Sequence, residues 1–371
     1  MRKAQRKSPA PPQRILVVRF SSIGDIVLTS PLVRCLSRRF PEAEIDFVTK
    51  ERFADLVRFS PYVRQVFVLP EGGGWRALGR LNRLLKERHY NLVVDVHKNF
   101  RSYYLRAGLG ARRVVSYRKW RWARAVLIMT KRNLYPGVFP VYRRYLAAVA
   151  TLGVEDDGAG PELYLDPSAW ARVRKVLGEA GFLSHPLKVA IVPGAGFFTK
   201  RWLPEGFAEV ADALAARHGS ATLLLGDVQD CPIAAKVAAN MHHQPVNMVG
   251  ALSLMESAAA VEACDLVVCN DTGLMHIATA LKKAVVAIFG PTTEELGFFP
   301  FGPLSRVVQK PLPCRPCSHV GSERCPKKHF RCMRDISAPE VLEAIEELLA
   351  TGGVNSSSQL GGRTAERTEI V

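Results

Sequence analysis

Five short stretches of this chain carry the residue types that chemistry on a charged, hydroxyl-bearing ligand would need. Asp271, Thr272 and Gly273 fall where an apolar run gives way to a helical pattern, so free backbone N–H groups and the positive end of a helix dipole would face whatever binds there. An anion is the natural guest. His276 follows Thr272 by one helical turn and shares its face. In PGAGFFTKRWLPEGF, glycines permit close backbone approach, and Lys200 and Arg201 supply the positive charge that suits a diphosphate whose charge grows as a bond to it breaks. LLLGDVQD offers Asp227 and Asp230 as acceptors for ligand hydroxyls, and GPTT adds the Thr292 and Thr293 hydroxyls. Asp25, in SSIGDIVLTSP, is a carboxylate in a glycine turn that can take a proton from a substrate hydroxyl. Each has a plainer reading: Asp25, Asp230, Asp271 and Thr272 as helix caps, His276 as a half-buried core histidine, and Lys200 as part of an exposed basic loop.

These turns must be presented by regular elements, and the pattern around them is α/β. Short, continuously apolar runs at 15–20, 45–49, 66–69 and 92–96 alternate with helical patterns, the first running from the Ser21 turn to about Phe40 with Pro31 near its start. The second half repeats the alternation with strands near 189–192, 222–225, 266–269 and 285–289 and a helix near 337–350. Between the halves, GVEDDGAGPELYLDP reads as a linker. The expected organisation is a basic tail at 1–14, one doubly wound domain at 15–160, a second at 168–350 and a disordered tail at 351–371. Ligands of such sheets bind at the carboxyl ends of the strands, where the five stretches lie.

Lys and Arg outnumber Asp and Glu by 51 to 34, a net charge of +17 over 371 residues, which points to phosphorylated ligands, nucleic acid or an anionic membrane surface. The excess is uneven: from Val96 to Val154 there is no acidic residue, and Lys98, Arg101 and Arg121 belong to a cationic segment interleaved with tyrosine and tryptophan. KWRWARAVLIMTKR would suit an anionic bilayer, and equally single-stranded nucleic acid. No apolar run is long enough for a spanning helix or a signal peptide, so a cytosolic, at most peripheral, protein is expected. Cys314, Cys317, Cys325 and Cys332 fall within nineteen residues and could hold a structural zinc or iron, or stay as reduced thiols or a labile disulfide. Cys35, Cys231, Cys264 and Cys269 read as buried small hydrophobes. There is no glycine-rich dinucleotide fingerprint after Phe20, no Walker loop and no serine elbow.

RFSSIGDIVLTSPL, GAGFFTKRWLPEGFAEVADAL, LLLGDVQD and NDTGLMHIATALKKAVVAIFGPTT together resemble the bacterial ADP-heptose:lipopolysaccharide heptosyltransferases, glycosyltransferase family 9, over most of residues 14–350. The resemblance implies a GT-B fold, two Rossmann-like domains facing a central cleft, and inverting transfer of L-glycero-D-manno-heptose from ADP-heptose to the inner core of lipopolysaccharide, a Kdo-lipid A type acceptor. It makes Asp25 the general base and Lys200 the diphosphate lysine. Asp271, Thr272, Gly273 and His276 become the donor loop, with Thr292 beside it. Asp230 stands where some members carry a ribose-contacting glutamate, one methylene longer. Ser22, Lys98, Asn99, Arg101 and Arg121 fall to the acceptor side. It also implies that catalysis needs no cofactor, that nucleic acid is not a partner, and that the enzyme sits peripherally on the cytoplasmic face of the inner membrane. KRWLPEGF is closer to members that add the second heptose. Two other readings stay open on residues alone. One is a family 9 transferase with another nucleotide sugar or a protein acceptor. The other is a non-enzymatic nucleic-acid-binding protein built on a four-cysteine metal site.

Overall fold

A computed structural model describes residues 10–351, so most of the two expected tails lies outside the described residues. Two parallel sheets organise the chain. The first holds β1 (Arg14–Val18), β2 (Glu44–Lys50), β3 (Gln65–Leu69), β4 (Leu92–Asp95) and β5 (Arg113–Ser116) in the order β3-β2-β1-β4-β5. The second holds β6 (Lys188–Val192), β7 (Ala221–Leu224), β8 (Val246–Asn247), β9 (Leu266–Asn270), β10 (Ala284–Phe289) and β11 (Ser305–Gln309) in the order β11-β10-β9-β6-β7-β8. Both are doubly wound, and the order reverses between β1 and β4 in one and between β6 and β9 in the other, which opens a crevice at each reversal. β9 and β10 are buried along their whole length, as expected of parallel strands covered by helices on both faces.

The sequence reading missed β5, β8 and β11. All three lie at or near a sheet edge, where polar residues replace the continuous apolar run that marks a central strand. The helix expected from the Ser21 turn to Phe40 is two helices, Ile23–Val27 and Ser30–Arg39. A continuous helix would drive the Pro31 ring into the carbonyl four residues back, whereas in the first turn of a new helix its missing N–H is not needed. Cys231 is exposed, unlike the buried Cys35, Cys264 and Cys269, because it opens the surface helix Cys231–Asn240.

The acidic, glycine-rich segment between the sheets is irregular but anchored. Arg34, 2% exposed, donates to Asp157 through Nε (2.7 Å) and Nη2 (2.8 Å), pairs through Nη1 with Glu162 (2.6 Å), and reaches the Gly160 carbonyl (3.0 Å). From the other side, Lys282 Nζ donates to the carbonyls of Ala159 and Pro161 at 2.8 Å each. The composition that suggests a spacer therefore supplies the ligands of a buried cation. Hydrogen bonds from Arg34 hold the Asp157 carboxyl well below the ordinary carboxylate range. A depressed carboxyl stabilises the fold above its unfolded pKa of about 4 and stops doing so as pH falls through its folded value.

Arg34→Met is expected to destabilise the chain by about 3–5 kcal/mol at pH 7, because it strands the buried Glu162 carboxylate and leaves Asp157 without its partner. In chemical denaturation, the difference from wild type should hold steady from pH 8 to about 5 and shrink below about pH 4, where Asp157 of the variant and of the unfolded chains takes a proton that the wild-type fold resists. A difference under about 1 kcal/mol at pH 7 would remove the clamp from the account.

Candidate active site

The carboxyl ends of both sheets face one cleft. A cavity of about 480 Å³ fills its middle, walled from the first sheet by the turn after β1 and from the second by the turns after β6, β7, β9 and β10. The structure brings together there Ser22, Asp25, Lys200, Asp230, Asp271, Thr272, Gly273, His276 and Thr292. The loops carrying Lys200 and Asp271 follow β6 and β9, so they straddle the reversal point of the second sheet.

Lys200 is fixed by its neighbours. Its ammonium lies 2.7 Å from Asp271 Oδ2, and the same oxygen accepts a hydrogen bond from Thr292 Oγ1 at 2.9 Å. Asp271 and Thr292 thus aim the lysine, and Arg52 and Arg201 line the same cavity. Asn270 ties the two turns together, accepting from the Trp202 N–H (3.0 Å) and donating to the Pro193 carbonyl (2.8 Å). Thr272 is the extended N-cap of the helix Gly273–Ala280 and makes no side-chain cap, which leaves the first N–H groups of that helix open to the cavity. Asp230 fills the space beside two glycines: a Cβ on Gly194 would fall 2.0 Å from its carboxyl carbon. Burial raises its carboxyl pKa.

The domains touch through two helices. Ile23–Val27 lies against Gly273–Ala280 so closely that a Cβ on Gly24 would fall 2.2 Å from His276 Cδ2, and one on Gly273 would fall 2.9 Å from the Ile23 Cβ. His276 is buried at this contact, and burial pushes its imidazole down to about 4, so the ring is neutral at physiological pH.

Asp25 sits in a framework that the sequence did not display. Arg19 Nη2 lies 2.5 Å from Asp25 Oδ1, Tyr145 donates to the same oxygen at 2.9 Å, and the Ser22 N–H and hydroxyl donate to Oδ2 at 3.2 and 3.1 Å. Arg19 is held in turn by the carbonyls of Ser21 (2.8 Å) and Val96 (2.5 Å). Burial alone would raise the Asp25 carboxyl, but Arg19 and these donors outweigh it and hold the group below its ordinary value. The carboxylate is therefore present at neutral pH. Neither Arg19 nor Tyr145, which lies 120 residues from Asp25, carried a signal in the sequence.

A second cavity, about 350 Å³, opens on the other side of Asp25. Arg19, Arg118, Lys119, Arg121, Arg124 and Arg144 line it, and Asp25 is its one carboxylate. Burial and the nearby Arg19 and Arg121 push the Lys119 ammonium down to about 8. The basic segment thus gathers around a concavity beside Asp25 instead of spreading along an open groove. Lys98, Asn99 and Arg101 line neither cavity. Lys98 Nζ donates to the Tyr117 carbonyl (3.1 Å), Asn99 caps the helix Phe100–Gly108, and Arg101 is exposed.

The four clustered cysteines are free, and among the described residues no set of three or more His, Cys, Asp or Glu is arranged to hold a metal. Their thiols are neighbours all the same: Cys317 lies beside Cys314 and Cys325, and Cys332 faces the other three. Cys317 Sγ donates to the Cys314 carbonyl at 3.0 Å, and Cys314 Sγ lies 3.8 Å from His329 Nε2. Burial and the neighbouring thiols push Cys317 and Cys332 up to about 11. The loop that carries the cysteines delivers His319 and Val320 to both cavities.

Two doubly wound sheets facing one cleft with their carboxyl ends have the GT-B architecture. Residues 78–328 match glycosyltransferase family 9 (heptosyltransferase), and the chain belongs to that family. It is 28% identical over 360 residues to lipopolysaccharide heptosyltransferase 2 of Salmonella typhimurium, covering 92% of this chain and 100% of that one. The structure is similar to a family 9 glycosyl transferase from Veillonella parvula (TM-score 0.76, 22% identity, 91% and 98% of the two chains). It is also similar to ADP-heptose lipopolysaccharide heptosyltransferase II of E. coli (TM-score 0.71, 23% identity, 91% and 99%).

Gly24→Ala should destabilise the chain by about 1–3 kcal/mol, because the methyl meets the buried His276 ring. The double variant Gly24→Ala/His276→Ala should lose less than the sum of the single losses. Additive losses in thermal unfolding would mean the two helices do not meet as described.

Proposed function

We propose that this chain transfers L-glycero-D-manno-heptose from ADP-heptose to the inner core of lipopolysaccharide, with inversion at the anomeric carbon. The observation that carries the reading is the place of Asp25, which lines both cavities: one walled by anion-binding groups, the other by cations. In this assignment ADP-heptose occupies the first cavity, with Asp230 and Asp227 near the ribose and the diphosphate between Lys200 and the N-terminus of the helix Gly273–Ala280. The acceptor, a Kdo-lipid A type oligosaccharide bearing carboxylates and phosphates, occupies the second, where Arg121 and its neighbours offset its charge.

The chemistry is one in-line displacement. The acceptor oxygen bonds to the anomeric carbon from the face opposite ADP as the bond from that carbon to the β-phosphate oxygen breaks. The acceptor proton passes to Asp25, and the electron pair leaves with ADP. Lys200 and the helix amides meet the charge that grows on the departing oxygen. Arg19 and Tyr145 keep Asp25 ionised and aimed, acting as positioning residues. A carboxylate held below its ordinary pKa is a weak base toward a free hydroxyl. It suffices where the hydroxyl acidifies as its bond to an electron-poor carbon forms. The family matches of KRWLPEGF favour addition of the second heptose.

Asp25→Asn is expected to bind ADP-heptose within about twofold of wild type while transfer falls by about 10²–10⁴-fold. Lys200→Ala should weaken ADP itself by about tenfold, a loss of about 1.4 kcal/mol. Calorimetry with ADP-heptose, and product mass with truncated lipopolysaccharide acceptors, read both. Wild-type turnover by Asp25→Asn, or unchanged ADP affinity in Lys200→Ala, ends the corresponding assignment.

The helix Arg121–Thr130 exposes 86% of Trp122 and 76% of Met129 among basic residues, and no helix among the described residues is long and apolar enough to cross a membrane. We assign this face to the anionic inner-membrane surface from which the acceptor is drawn. Co-sedimentation with vesicles of 30% phosphatidylglycerol should drop severalfold in Trp122→Ala/Met129→Ala and vanish in 0.5 M salt. Equal pelleting of variant and wild type would place the contact elsewhere.

A further inference from the structure

We propose that His319 hydrogen-bonds the sugar being transferred and positions it for attack. This assignment rests on the reading of the two cavities as donor and acceptor sites. The cavities share five lining residues, Asp25, Leu296, Phe298, His319 and Val320. Leu296, Phe298 and Val320 are apolar, so a polyhydroxylated ring crossing from one cavity to the other meets two polar side chains at the junction. Asp25 is engaged with the acceptor proton. His319 is the group left to bind the hydroxyls of the ring that moves.

His319 stands on a loop held from three sides of the cleft. Lys131, at the end of the helix Arg121–Thr130, donates Nζ to the Pro316 carbonyl at 2.7 Å, which anchors the loop to the first domain. The Cys317 N–H donates to the Pro291 carbonyl at 2.9 Å and Arg315 Nη2 to the Thr292 carbonyl at 2.8 Å, which anchors it to the turn after β10. The Ser322 N–H donates to Thr199 Oγ1 at 2.8 Å, next to Lys200. Ser318 closes the bend by accepting from the N–H groups of Val320 (3.2 Å) and Gly321 (3.1 Å). Gly321 has φ +105°, and a Cβ there would fall 2.8 Å from that of Phe197, so the bend needs glycine for its backbone and for its contact. The result is an exposed imidazole on a loop anchored on three sides, and among the described residues nothing hydrogen-bonds its ring. The four-cysteine loop acquires a role in this account that needs no metal: it carries a sugar contact.

The test compares the full chain with His319→Ala and His319→Gln, titrated calorimetrically with ADP and with ADP-heptose and then assayed with truncated lipopolysaccharide. His319→Ala should bind ADP within about twofold of wild type but ADP-heptose about tenfold more weakly, and kcat should fall by tenfold or more. His319→Gln, which keeps a donor and an acceptor, should recover part of both losses. It also serves as the reading if His319→Ala does not fold, as judged by thermal unfolding. Equal weakening of ADP and ADP-heptose would assign His319 to the diphosphate, and a rise confined to the acceptor KM would assign it to the acceptor. No change in either affinity or in kcat would make it part of the wall. Each of these overturns the proposal. A wild-type chain that transfers nothing from ADP-heptose would instead overturn the underlying donor reading.

Discussion

The distance between the two domains is set by a contact that has no room for a Cβ. Gly24 lies against His276 and Gly273 against Ile23, and this approach brings the turn after β1 to the opening of the helix Gly273–Ala280. Everything at the site follows from it. Asp25, one residue from Gly24, borders a cavity whose other wall is the anion-binding edge of the second sheet. Were either glycine larger, Asp25 and the turns that carry Lys200 and Asp271 would no longer border one cavity.

The electrostatics of the cleft follow from the same geometry. Asp25 is the one carboxylate in a concavity of cations, and Arg19, which is itself buried, needs it as a partner. On the opposite wall Asp271 does the reverse, serving as the counter-ion that fixes a lysine meant for an anionic ligand. The two aspartates look alike in sequence, each placed where a strand ends and a helix begins. One is paired with a buried arginine and borders both cavities, and the other is paired with a lysine at the first. Only their partners distinguish them.

Most of the fold was legible because buried parallel strands announce themselves as short, largely apolar runs, and β1, β9 and β10 are such runs. What escaped were the edge strands β5, β8 and β11, whose residues answer to solvent as well as to a neighbour, and the break at Pro31. The turns around Asp25, Lys200, Asp230 and Asp271 were legible because glycine and acid where a strand ends have a local reason to be there. Arg19, Tyr145, Asn270 and His319 were not, because each acts on a residue far away in the chain: Tyr145 on Asp25, Asn270 on Trp202, His319 on a space between domains. Lys98, Asn99 and Arg101, which the family resemblance assigns to the acceptor side, line neither cavity; Lys98 and Asn99 make backbone and capping contacts, and Arg101 is exposed.

The sequence by itself determined the alternation of strand and helix, hence two doubly wound sheets, and the chemical character of the turns at their carboxyl ends, because both depend on neighbours within a few residues. It also determined that the chain would be drawn to anions, since net charge needs no coordinates. The tertiary structure decided how those turns combine. It joined Asp25 to Arg19 and Tyr145, set Asp271 beside Lys200, gathered Arg118, Lys119, Arg121, Arg124 and Arg144 around a second cavity, and brought the cysteine-bearing loop to the cleft with His319. Each of these is a contact between residues distant in the chain, and such contacts arise only when packing brings two surfaces together at a distance that no local pattern encodes.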